Sequence, residues 1–162
     1  MNKDFLAGLG KINVQFSSLE LALSMLVWGL ICDDQNVGQI ITADLSFKHI
    51  INLLNALLIY KVKDNILYEK SKEIIKRAIQ CEEKRNQLTH SIWSINENND
   101  LVFRQKTTSK LKKGLTTSYE ILDENKINDI SIEINSTKIE TIKLLHLLTN
   151  NGNISKELFS DM

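Results

Sequence analysis

Apolar residues recur at alternating steps of four and three near the start of the chain: Phe5, Leu9, Ile12, Phe16, Leu19, Leu23, Leu26 and Leu30. That spacing puts them on one stripe of a helix. The stripe predicts a first helix ending near Cys32, where Asp33-Asp34-Gln35-Asn36 reads as a polar loop before Gly38. A second helix is predicted after Ser46, with Phe47, Ile50, Ile51, Leu54, Leu57 and Leu58 on a wide buried face. Asp44 or Ser46 is the candidate cap, since short oxygen-bearing side chains accept from the open N–H groups of a first turn. Residues 61–65 read as a turn. The third helix begins near Asp64, and its stripe runs Leu67, Ser71, Ile74, Ala78, Cys81, Arg85, Leu88, Ile92. Ser71, Ala78 and Cys81 are small, so a neighbouring helix can approach closely there. Arg85 falls where the pattern assigns an interior position.

The period changes after Trp93. Asn96-Glu97-Asn98-Asn99-Asp100 is a turn signal, and residues 92–95 and 101–104 on either side of it are predicted to pair as a hairpin. Gly114 precedes a third strand over 115–122, where Thr116, Thr117 and Tyr119 favour extended backbone. Asp123 then reads as an N-cap, with Glu124 in the first turn. Ile127, Ile130, Ile134, Thr137, Thr141, Leu144 and Leu148 follow helical steps. Ile130-Ser131-Ile132-Glu133-Ile134 alternates as a strand would, but the helical register continues through Leu148 and predicts one long helix, ended by Asn150-Asn151-Gly152. The expected fold is therefore mainly α. It is an up-and-down bundle of about four helices with a small antiparallel β-sheet inserted between helices three and four. One domain is expected over 1–150, with the insert at about 92–122 and a loose tail at 151–162.

Composition narrows the class. The chain has 162 residues and an ordinary apolar share, which suits one compact domain. It has no proline, so nothing breaks a helix from within. Twenty basic residues balance twenty acidic ones. A neutral total gives no general attraction to nucleic acid or to an anionic membrane, so such binding needs a local patch. Cys32 and Cys81 form no disulfide framework and lack metal-ligand spacing. They read as small buried residues in a reducing compartment. The most apolar run, residues 21–32, is shorter than the roughly 20 residues a membrane-spanning helix takes. Without a basic leader before it, the expected location is the cytoplasm, with no membrane association.

The concentrated chemistry lies in Arg85-Asn86-Gln87-Leu88-Thr89-His90. An arginine on an apolar stripe calls for a partner, and Glu20 and Glu82 are the candidates. Asn86 and His90 are four residues apart and share a helix face. Arg85 and His90 are five apart and point about 140° from each other, at about 100° per residue. They converge by reaching around the helix, or through two copies of it. Histidine exchanges protons near neutrality and can serve a ribose 2′-hydroxyl or a leaving oxygen. A guanidinium suits a phosphate and the added charge of its transition state, and asparagine orients either group. RNA carries its own nucleophile, so this chemistry requires neither metal nor cofactor, and no His, Cys, Asp and Glu set has ligand spacing.

Arg-Asn followed by three residues and His, near a helix end in a helical chain of this size, resembles the HEPN superfamily of small helical proteins. The resemblance rests on Arg85, Asn86 and His90 within the stretch from Glu82 to Trp93. It implies a metal-independent endoribonuclease of toxin, antiviral or RNA-processing type, acting as a homodimer whose motif helices form one cleft. Some members of that superfamily are inactive or serve as partners, and the inserted sheet departs from the simplest bundles. The second reading is thus a non-catalytic interaction module, an antitoxin or scaffold with a cognate toxin or antitoxin protein. The plain structural alternatives are a buried ion pair for Arg85 and a helix-terminal position for His90. His49 and His146 lie outside any motif, and Trp28 and Trp93 read as core or interface. Arg104, Lys106, Lys110, Lys112 and Lys113 form a basic run without an acid between them. They are candidate RNA-phosphate contacts, the alternative being lysines guarding an exposed sheet edge.

Overall fold

The computed structural model describes residues 3–32, 34–96, 101–110 and 114–155, with the backbone alone at 95, 96, 101, 106–110 and 115. Five helices and three strands follow one another as α1 (Lys3–Ile31), α2 (Gln35–Thr42), α3 (Phe47–Lys61), α4 (Asn65–Thr89), β1 (Ile92–Asn96), β2 (Leu101–Lys110), β3 (Gly114–Ile121) and α5 (Glu124–Asn150). The fold is mainly helical with a small antiparallel sheet, and that sheet falls between α4 and α5 in the chain.

The starts of α4 and α5 are fixed by side-chain caps. The carboxylate of Asp64 accepts from the N–H groups of Ile66 and Leu67 at 2.8 and 3.0 Å. Asp123 accepts from Lys126 N–H at 2.8 Å. Each satisfies donors that the first turn leaves open. Ser46 flanks α3 without capping it, and its hydroxyl lies 2.8 Å from His49 Nδ1. At the other end of α5, Gly152 takes φ +73°, the N–H of Asn153 reaches Leu148 O and that of Gly152 reaches Thr149 O. This left-handed closure suits glycine.

The sequence pattern places Gln35 and Asn36 in a loop and shows no helix before Ser46, yet α2 forms there. Asp34 caps it through the N–H groups of Asn36 and Val37, and Gly38 and Thr42 are its buried residues while Val37, Ile40 and Ile41 are exposed. Through 130–134 the helical reading of α5 holds: Ser131 and Ile134 are buried and Ile132 is exposed. By length and composition alone α1 suffices to cross a membrane, and half of its most apolar window is buried within the protein.

The chain divides into two compact units. The first comprises Met1–Phe16 and Cys81–Ile134. Its core includes Phe5, Ile12, Phe16, Cys81, Leu88, Val102, Leu122, Ile127 and Ile134. Gly8 admits the side chain of Ile127 so closely that a Cβ on Gly8 would lie 2.6 Å from Ile127 Cγ2. In the sheet β2 is central, with Trp93 opposite Arg104 on one side and Arg104 opposite Glu120 on the other.

The second unit comprises Ser17–Gln80 and Asn135–Met162. Leu19, Leu23, Leu26, Leu30, Leu54, Leu58, Ile74, Leu144 and Leu148 are each at most 2% exposed. The stripe's small residues Ser71 and Ala78 are fully buried, and Ser71 settles its hydroxyl on Leu67 O at 2.7 Å. The indole N–H of Trp28 donates to Thr42 Oγ1 at 2.7 Å, and Thr42 donates on to Gly38 O at 2.9 Å. Ile154, which the sequence places in a loose tail, is buried, its side chain against Gly29. Cys32 is only half-buried, with its Sγ 3.2 Å from Asp34 O.

Candidate active site

The motif closes α4, and the way α4 ends determines how its residues are presented. A helix leaves its last carbonyls without intrahelical donors. Here they are taken in order: Asn86 O by His90 N–H at 3.0 Å, Gln87 O by the Ser91 hydroxyl, and Leu88 O by the indole N–H of Trp93 at 3.2 Å. Trp93 is itself held edge-to-face on Phe5, ring centroids 5.3 Å apart at 75°. Thr89 ties the last turn to α1 through its hydroxyl, which donates to Asn13 Oδ1 at 3.2 Å. His90 therefore follows directly on a helix end fixed by named bonds, and its side chain is exposed. Asn86 is half-buried one turn earlier.

Arg85 is half-buried, and its guanidinium carbon lies 4.3 Å from the centroid of the Phe16 ring. Within the first unit its partner is thus an aromatic face. Such a contact attracts the cation to the ring's negative face, and the ring accepts no conventional hydrogen bond from the guanidinium's five N–H donors. Glu82 is half-buried on α4. Glu20 is half-buried on α1 and belongs to the second unit. Among the described residues no group of three or more His, Cys, Asp and Glu is placed to hold a metal ion.

The basic run resolves differently from its expectation. Arg104 is 8% exposed. It forms an ion pair with Glu120, its partner in the β2–β3 register, and donates from Nη1 to Gln87 Oε1 at 3.2 Å. It is a buried bridge between the sheet and α4, not an RNA-facing arm, because a guanidinium with carboxylate and amide partners tolerates burial that a lone charge does not. The side chains of Lys106 and Lys110 and the whole of Lys112 and Lys113 lie outside the described residues. Arg104 stands between two strands, opposite Trp93 of β1 and Glu120 of β3, whereas the β1 register ends at Gln105, so residues 106–110 of β2 pair with β3 alone among the described residues. His49 and His146 are exposed on α3 and α5.

Two structural features escaped the sequence. One is the aromatic partner of Arg85; Phe16 was read only as core. The other is the cleft beside Arg104, lined by Lys84 and Gln87 of α4 and by Lys126 of α5. Their convergence depends on strand register, which the sequence does not display.

Comparison with known protein families, with curated proteins and with solved structures finds no match for this chain.

Proposed function

We propose that the protein is a metal-independent endoribonuclease in which two copies bring their α4 ends together. The observation that carries this reading is the presentation of the motif: His90 exposed just past a fixed helix end, Asn86 one turn before it, and the Arg85 guanidinium over the Phe16 ring. In the proposed chemistry His90 moves the proton of the 2′-hydroxyl or of the leaving oxygen. Arg85 meets the phosphate with its edge donors, and Asn86 orients the attack. The five-residue offset between Arg85 and His90 makes a two-fold dimer part of the proposal, since a self-complementary contact places one copy's arginine beside the other's histidine. The up-and-down order of the long helices, the RNA substrate, a cytoplasmic toxin or antiviral setting and a cognate partner protein belong to the same proposal.

Its test is incubation of the pure protein with mixed RNA, with and without EDTA. Cleavage that persists in EDTA and leaves 2′,3′-cyclic phosphate ends supports the reading, because the 2′-hydroxyl is then the nucleophile. DNA stays intact. Failure to cut any RNA over a range of substrates transfers the motif to the interaction-module reading, in which the exposed end of α4 is a binding surface.

A further inference from the structure

A cleft of about 300 Å³ opens in the first unit, within the range of small-ligand sites. Leu88, Leu122 and Ile130 give it an apolar wall; Lys84, Arg104 and Lys126 bring positive charge, with Glu120 and Asp129 also on its lining. Lys84 is paired with Glu133, whereas the Lys126 ammonium rests 3.1 Å from a neutral acceptor, the Ile121 carbonyl.

The decisive detail is in Arg104. A guanidinium offers a carboxylate or phosphate two parallel donors along one edge, Nε and the Nη beside it. Glu120 engages Nη2, while Nε, buried and without any hydrogen-bond partner among the described residues, goes unmet. Buried donors are nearly always paired, and leaving one without a partner is costly. The side chain of Glu120 is 49% exposed, so it has solvent to swing into. The edge of Arg104 is therefore a half-filled fork, closed by a carboxylate that can leave.

We propose that this cleft binds a small organic anion, its phosphate or carboxylate head displacing Glu120 to take both Nε and Nη2 of Arg104. The charge of Lys126 attracts the head, and the apolar body lies on Leu88, Leu122 and Ile130.

Phenyl phosphate and benzoate are the probes, with inorganic phosphate as the bodiless control. They are titrated into the full chain by calorimetry and by two-dimensional NMR of arginine Nε–H groups. One or both probes bind with a dissociation constant of about 1 mM or below, more tightly than inorganic phosphate. Binding shifts the Arg104 Nε–H resonance. The two phosphate-bearing arms and benzoate tell which head group is preferred. Two surface variants move affinity in opposite directions. Glu120→Gln removes the competing carboxylate and tightens binding about tenfold, and Lys126→Glu reverses the attracting charge and weakens it by about tenfold or more. No binding of either probe at 10 mM, on the order of the weakest specific affinities, overturns the proposal. So does an unmoved Arg104 resonance, weaker binding by Glu120→Gln, or unchanged binding by Lys126→Glu.

Discussion

The guanidinium carbon of Arg85 lies over the ring of Phe16, 4.3 Å from its centroid. A half-buried cation on an aromatic face contributes about 0.5–2 kcal/mol. Arg85→Ala should therefore lower stability by about 1–2 kcal/mol, read from urea midpoints at constant slope. Phe16→Leu combined with it in a double-mutant cycle should return a coupling of about 0.5–2 kcal/mol. Strict additivity of the two variants would show that the contact contributes nothing.

His90 is exposed, and its removal deletes no packing. His90→Ala should keep the melting temperature of the wild type while RNA cleavage falls about 10²–10⁴-fold, the usual worth of a general acid or base. Equal cutting by the two proteins would trace the activity to a contaminant.

Gly38→Ala should destabilise, although alanine in place of a mid-helix glycine normally gains about 1 kcal/mol. An added Cβ would stand 2.6 Å from Trp28 Cβ and 2.7 Å from its Cγ, atoms tied to the backbone that cannot swing aside. Overpacking of this kind costs about 1–3 kcal/mol, or several degrees of melting temperature at about 2–4 °C per kcal/mol for a chain this size. A rise in melting temperature would mean that α2 does not sit on Trp28.

Thr42→Val keeps the shape but takes the acceptor from the Trp28 indole, buried at a 2.7 Å bond. The stranded N–H should lower stability by about 1–3 kcal/mol, and the tryptophan fluorescence should change with it. An unaltered denaturation midpoint would count against the bond.

The long helices could be read from sequence because their buried faces are apolar at helical spacing. Ile134 is buried and Ile132 exposed, which a strand placing both on one face cannot satisfy. Helix α2 defeated the same logic by inversion: its buried positions are Gly38 and Thr42, and its apolar Val37, Ile40 and Ile41 face outward. Only the Asp34 cap announced it. Arg104 was hidden for a related reason. In a run of lysines it looks solvated, and its burial follows from standing opposite Glu120 in the β2–β3 register. The Arg85, Asn86 and His90 spacing was visible in the chain. The aromatic ring beneath Arg85 was not, because Phe16 lies on a different helix far away in sequence.

Neither compact unit is a continuous piece of chain: residues 17–80 complete their unit with 135–162, and 1–16 complete theirs with 81–134. A nascent polypeptide leaves the ribosome N-terminus first, at about 5–20 residues per second. Leu19, Leu23, Leu26 and Leu30 thus emerge seconds before Leu144 and Leu148, the residues that share their core. During that interval an apolar helix face waits in water, a client for chaperones and for its own kind. The order in which the segments are encoded makes α1 depend on α5, made later, for part of its shelter.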